Sequence, residues 1–234
     1  MASSGTNKAQ KTILLRSEDE LILEVNLTAA MKLGTIRNVI EYFETDESME
    51  DSVIPVMTVK GDVLKIIVQW LEVRKGKGHF VFGPQMLRTL AAQGSSTNAD
   101  NTSGDASLLK TLMDIATAAD YLDVPEILNI TKKMLTLNSE NCFILLEITR
   151  SSQNQNILSY QAIAEYIDHH FLDATKCNGF VNISYDTLKS VIARDSLNVP
   201  SEEYVVQAVV KWLEKYEDER CSTKDLLKHI RGTF

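Results

Sequence analysis

LLKTLMDIATAADYLDVPEILNITKKML, residues 108–135, is the stretch on which the reading of the whole chain turns. At about 100° per residue, Leu108, Leu112, Ile115, Ala119 and Leu122 fall within roughly 40° of one line on a helix and form a stripe for burial. Tyr121 lies about 140° from that stripe, in register with Lys110, Asp114 and Thr117 on a single polar face. The ring therefore leaves its own helix's core. Two readings stand: it packs beneath another element of the same domain with its hydroxyl satisfied, or it is presented to a partner protein. Tyrosine suits the second role because it brings large area at low entropic cost. Beyond Leu122, Asp123 is placed to cap a second helix, with Pro125 near its first turn.

Upstream, TILLRSEDELILEV (residues 12–25) reads as two short β-rich runs around a polar turn. LTAAMKLGTIRNVIEYFE then has helical composition with a break at Gly34, and the β-branched run VIPVMTV (residues 53–59) follows the acidic TDESMEDS. The order is β-β-α-α-β. DVLKIIVQWLEVRK carries Leu64, Ile67, Val68 and Leu71 at the i, i+3, i+4, i+7 spacing of an amphipathic helix, with Trp70 packing at its flank. PQMLRTLAAQ is helical in composition. GSSTNADNTSGDAS (residues 94–107) has no apolar period and the composition of a disordered loop, either a linker or an insertion. Downstream, SENCFILLEITR, NILSYQAIAEYIDHHF, SYDTLKSVIAR, SEEYVVQAVVKWLEKY and STKDLLKHIR are helices joined by short links, the pattern of antiparallel helical pairs.

Composition excludes several classes of function. Over 234 residues, 24 basic against 32 acidic side chains give a net charge of −8, which repels a phosphate backbone and argues against nucleic acid. MASSGTNKAQ lacks a signal pattern, and no apolar run approaches the roughly 20 residues a membrane helix needs. A cytoplasmic or nuclear location without membrane contact is expected. Three widely spaced cysteines, Cys142, Cys177 and Cys221, argue for reduced thiols rather than a disulfide framework. The sequons at Asn26, Asn101, Asn129 and Asn182 are read as chance matches. His79, His169, His170 and His229 have no metal-ligand spacing, and ETDESMED (residues 44–51) lacks the calcium-loop pattern. No phosphate-cradling glycine loop or nucleophile elbow occurs, so neither cofactor nor catalysis is expected.

The strings TILLRSEDELILEVNLTAAMKLGTIRNVIE, VIPVMTVKGDVLKIIVQWLE and LLKTLMDIATAADYLDVPEILNITKKML, with the Gln69-Trp70 pair and AAxYLD at Ala118–Asp123, closely resemble the Skp/elongin C branch of the BTB/POZ superfamily. SENC at Ser139–Cys142, VNISYDTLKSVIARDSLNVPSEEYVVQAVVKWLE and LLKHIR resemble the BACK domain of Kelch-type proteins. The resemblance implies an α+β fold: a small β-sheet capped by helices, then an all-α BACK-like domain. Its expected boundaries are 1–11 (disordered N-terminus), 12–136 (POZ domain with a disordered internal loop at 94–107) and 137–234 (BACK-like).

The resemblance further implies a non-enzymatic adaptor of a cullin-RING ubiquitin ligase. Its POZ fold grips the N-terminal domain of a cullin, and another module brings an unknown substrate or substrate receptor. The docking residues it implies are Tyr42, Phe43, Met49, Asp120 and Tyr121, extended by Ser139, Asn141 and Leu145 at the start of the BACK-like part. Kelch-type cullin binders carry a hydrophobic-x-Glu pattern before the third strand; here that position reads Asp46-Glu47-Ser48. The segment before the first strand is only about ten polar residues long, shorter than the arm through which Kelch-type POZ domains pair, so a homodimer is only modestly favoured. The chain stops where Kelch-type proteins continue into a propeller. Two other classes remain open: a BTB-BACK scaffold or self-association module outside ubiquitination, and a Skp-type bridge to F-box proteins.

Overall fold

In a computed structural model that describes residues 11–43, 53–73, 89, 101–151, 157–215 and 226, the chain divides into two compact units. One comprises Met1–Ser96 and Thr111–Met134, the other Thr97–Lys110 and Leu135–Phe234. The fold is α+β, a small sheet and helices followed by a helical domain.

In the first unit the expected hairpin forms between Thr12–Arg16 (β1) and Ile22–Asn26 (β2), antiparallel, with Leu15 opposite Leu23. Val53–Pro55 (β3) joins the other edge of β1 in parallel, giving the order β2-β1-β3. The turn closes with Glu20 in the left-handed region (φ 61°). Asp19 accepts from Ser17 Oγ at 2.5 Å and from the backbone N–H of Gly61 at 2.7 Å. These bonds hold its carboxyl below the usual value and fasten the turn to Gly61, the first residue of a helix.

Between β2 and β3 run Leu27–Ala30 (α1) and Gly34–Phe43 (α2), separated just before Gly34 as the composition implies. Gly61–Val73 (α3) is buried nearly all round: Leu64 and Ile67 are fully buried, and Trp70 is only 2% exposed. Among the described side chains of this helix, only Asp62, Lys65, Gln69 and Glu72 reach solvent, a narrow line of polar residues at i, i+3, i+7, i+10. The helix is a core element, and Trp70 belongs to the core rather than its flank.

Asn101–Tyr121 (α4) and Pro125–Met134 (α5) complete this unit, with α4 contributing from Thr111 onward. Four of the five expected stripe positions are buried: Ile115, Ala119 and Leu122 are inaccessible and Leu112 nearly so, while Leu108 is half-buried. The expected disordered loop at 94–107 is corrected over 101–107, which are helical, the opening turns of α4. Once Leu108–Leu122 nucleates the helix, each added residue gains a backbone hydrogen bond without a new nucleation cost, so polar composition does not stop it. Residues 97–110 also cluster with the second unit, not with the POZ-like one to which the expected boundaries assign them.

Asp123 is a second correction. The N–H of Val124 bonds the Ala119 carbonyl at 2.8 Å and the N–H of Asp123 bonds that of Asp120 at 3.2 Å, a Schellman closure of α4. Asp123 takes the left-handed position of that closure (φ 53°), so it ends the first helix rather than capping the second. Pro125 opens α5 as expected.

Gly34 meets this corner. A Cβ built there would lie 2.7 Å from Asp123 Cβ and 2.8 Å from its Cγ, closer than real atoms approach. Gly34→Ala is therefore expected to displace Asp123 and destabilise the first unit by about 1–3 kcal/mol, the usual range for overpacking, measured by denaturant unfolding. An unchanged midpoint would mean that the corner is loose.

The second unit packs Cys142–Ser151 (α6), Tyr160–Ala174 (α7), a 3₁₀ turn at Phe180–Asn182, Tyr185–Ile192 (α8) and Glu202–Lys215 (α9). Ser159 and Ser184 cap α7 and α8 through their side-chain oxygens. Phe143, Phe171, Phe180 and Trp212 fill the interior, and the Trp212 indole N–H donates to the Ile183 carbonyl at 3.0 Å. Among the described residues one charged pair lies inside: Asp168, 2% exposed, accepts two bonds from Arg194 Nε and one from Arg194 Nη2 at 2.7–3.2 Å, plus one from Ser196 Oγ at 2.5 Å.

Candidate functional site

The C-terminus of α4 meets the start of α2 in the first unit. A helix leaves its last four carbonyls without intrahelical donors. At this terminus each of the last carbonyls has a named partner. Ala118 accepts from Leu122 N–H, Ala119 from Val124, and Asp120 from Asp123. The two that remain are taken by one residue: Thr35 Oγ1 donates to the Tyr121 carbonyl at 2.6 Å, and Thr35 N–H to the Leu122 carbonyl at 3.4 Å.

Thr35 is the second residue of α2, and its position sets where the aromatics stand. Ile36 and Ile40 of α2 face the core, leaving Arg37, Asn38, Glu41 and Tyr42 in solvent. Tyr42 is seven residues after Thr35, two turns on, so the two share one line of the helix about 10 Å apart along the axis. Thr35, Asn38 and Tyr42 therefore lie along one side of α2, and the Tyr121 backbone meets the start of that line at Thr35. Tyr121 is 41% exposed, Tyr42 78% and Phe43 44%. Tyr42 and Phe43 meet edge to face at 5.3 Å, which stiffens the far end of the strip. Asp120 is exposed beside Tyr121. Met49 lies outside the described residues.

The three residues expected at the start of the helical domain fall differently. Leu145 is fully buried and Asn141 is 8% exposed, so neither belongs to a docking surface. Asn141 is spent on the helix start: its Oδ1 accepts from Asn138 N–H at 2.9 Å while Asn138 Oδ1 accepts from Asn141 N–H at 3.0 Å, a reciprocal pair like a capping box. Its Nδ2 donates to the Thr136 carbonyl. Ser139 is half-buried, its carbonyl accepting from Cys142 Sγ at 3.6 Å.

The outward face of this helix lies one residue earlier in phase, at Glu140 and Ile144. Both line a cavity of about 440 Å³ with Asp105, Lys176, Cys177, Asn178 and Gly179. The missed signal is the inner set Cys142, Leu145, Leu146 and Thr149, an i, i+3, i+4, i+7 pattern that assigns Leu145 inward. Burial pushes the Cys142 thiol up to about 12, against the weaker pull of backbone hydrogen bonds, so it is inert at neutral pH. Among the described residues no group of His, Cys, Asp and Glu could hold a metal ion, and no helix is long and apolar enough to cross a membrane.

Comparison with known proteins divides the chain in the same order. Residues 11–75 match the Skp1 family, tetramerisation domain, and residues 142–234 match BACK, "BTB And C-terminal Kelch". Similar relatives include mouse (Mus musculus) gigaxonin, 28% identical over 123 residues, 51% of this chain and 20% of that protein. Human (Homo sapiens) Kelch-like protein 31 is 27% identical over 129 residues, 54% of this chain and 20% of that protein. Mouse Kelch repeat and BTB domain-containing protein 3 is 32% identical over 90 residues, 38% of this chain and 14% of that protein. The matched part spans a fifth or less of the length of these relatives.

Proposed function

From a chain that carries a Skp1-type POZ domain followed by a BACK domain, we propose a non-enzymatic adaptor that docks the N-terminal domain of a cullin within a ubiquitin ligase, in the cytoplasm or nucleus. The observation that carries the reading is the strip Thr35–Asn38–Tyr42 with the Tyr121 backbone at its start. Tyr121 and Tyr42 are both exposed, and their helices are joined at Thr35; these are the two helices that the resemblance to cullin-binding POZ domains assigns to docking, which supports the reading. Aromatic anchors of this kind commonly dominate protein interfaces. Another module then brings the substrate or a substrate receptor. In support of a non-catalytic role, Cys142 is buried and inert, and the buried carboxylate Asp168 is engaged by Arg194 and Ser196.

The test is retention of the full chain on a panel of immobilised cullin N-terminal domains, with the particle mass in solution measured alone and with each one. Retention on at least one member, with a mass equal to one complex, is the expected result. The mass of the chain alone decides between monomer and homodimer. No retention on any member overturns the docking reading in favour of a scaffold outside ubiquitination.

A further inference from the structure

We propose that Thr35 is the positioning residue of the docking surface: its hydroxyl holds the Tyr121 carbonyl and thereby fixes the spacing between the Tyr121 and Tyr42 anchors. The inference rests on the docking reading above and adds a residue to it that touches no partner. Three observations converge on this residue.

The first is the hydrogen-bond accounting at the end of α4. Its earlier carbonyls are closed by the helix's own Schellman turn, with donors from residues 122–124. The Tyr121 and Leu122 carbonyls receive their donors from α2, 86 residues away in sequence for the side-chain bond. Thr35 is thus the one residue among those described that joins the two helices at this corner by hydrogen bonds to both terminal carbonyls. At 2.6 Å the hydroxyl bond is the shorter of the two, against 3.4 Å for the amide, and it ends on Tyr121 itself.

The second is geometry. Thr35 and Tyr42 share a line of α2, so pinning the Tyr121 carbonyl to Thr35 fixes the Tyr121 backbone two helical turns before Tyr42 along that helix. The third is the packing around the latch. Gly34 leaves room for the Asp123 side chain, with Asp123 Oδ2 nearest of all, so the chain just after Tyr121–Leu122 is held close to the start of α2. Without the hydroxyl, the amide bond and this close approach keep the helices together, while the last residue of α4 is free to shift in the way that matters for a partner. An interface made of two anchors on separate helices pays for such a shift directly in affinity, because the anchors must then be reordered on binding.

The experiment uses the full chain with 3-fluorotyrosine placed site-specifically at position 121, as wild type, Thr35→Val and Thr35→Ser. Valine keeps the shape and removes the donor; serine keeps the donor and removes a methyl. The expected result is a fluorine resonance that moves or broadens in Thr35→Val and returns to the wild-type position in Thr35→Ser. Alongside it, affinity for the cullin N-terminal domain falls about five-fold in the valine variant, the size of one hydrogen bond's net contribution, with recovery in the serine variant. An unmoved resonance and unchanged affinity in Thr35→Val overturn the proposal. Equal losses in Val and Ser also overturn it, since they make Thr35 a packing residue. If wild type binds no cullin, the docking reading falls on its own, and the fluorine resonance alone decides the positioning of Tyr121.

Discussion

Arg194→Ala is expected to destabilise the second unit by about 3–5 kcal/mol, the cost of leaving a buried charge without its partner. The Asp168 carboxylate is 3% exposed as a side chain, and Arg194 encloses it from Nε and Nη2. Removing the guanidinium leaves only Ser196 Oγ and water to solvate a negative charge inside the unit. For a domain of this size the loss corresponds to a thermal midpoint lower by roughly 10 °C or more.

The pH dependence carries the sign. Burial pushes the Asp168 carboxyl up, but the hydrogen bonds from Arg194 and Ser196 and the charge of Arg194 outweigh it and hold the carboxyl below its usual value. A carboxylate with a depressed folded pKa contributes stability that is present above its unfolded pKa, about 4, and is lost as pH falls through the lower folded value. The gap between wild type and Arg194→Ala is therefore widest near neutrality and narrows in acid, where Asp168 takes up a proton in both. Urea unfolding at pH 7 and pH 3 measures it. A gap that is the same at both pH values would assign the loss to side-chain packing of Arg194. The double variant Asp168→Leu with Arg194→Met should recover much of the stability, because a buried pair replaced by apolar side chains of similar volume costs little.

Much of the fold is legible wherever periodicity meets a strong breaker. The α4 stripe, the break at Gly34, the β1–β2 hairpin and Pro125 at the start of α5 all follow from spacing and local chemistry, and all are found. The failures share a cause: each required knowing what lies beside the element. The polar residues 101–107 carry no apolar period, yet they continue a helix already nucleated downstream. Asp123 has the composition of an N-cap, but the tight approach of Gly34 and the Schellman turn place it in the left-handed position.

Phase is the finest of these failures. The docking expectation turns Asn141 and Leu145 outward, whereas both are buried and Glu140 and Ile144 line the cavity; a slip of one residue rotates a helix by about 100°, enough to carry a buried position toward solvent. The four-residue run SENC does not reveal that Asn138 and Asn141 close on each other, and that closure is what sets the phase. At α4 no such ambiguity arises, because five apolar positions define the stripe and leave Tyr121 only the opposite side. Even there, periodicity places the ring outside the core without revealing that Thr35 holds its backbone.

The double variant Tyr42→Ala with Tyr121→Ala is expected to weaken binding to the cullin N-terminal domain by 100-fold or more, with Tyr121→Ala alone costing about 2 kcal/mol, roughly 30-fold. The reasoning is one of placement. Both rings project from helix positions whose neighbours on the core side, Ile40 and Leu122, are already buried, so truncating either ring removes partner contact without opening a cavity inside the unit. Tyr42 is the more exposed of the two and stacks edge-on with Phe43, so its loss also loosens Phe43 at the end of the strip. The internal control is Tyr204→Ala: Tyr204, on α9, is 42% exposed, nearly the same as Tyr121, but lies in the other unit. Titration calorimetry should show Tyr204→Ala binding as wild type does, while the double variant keeps its thermal midpoint and loses the heat of binding. A double variant that binds normally would move the docking surface away from α2 and α4. One that loses binding and stability together would place the two tyrosines in the structural framework of the unit rather than on its interface.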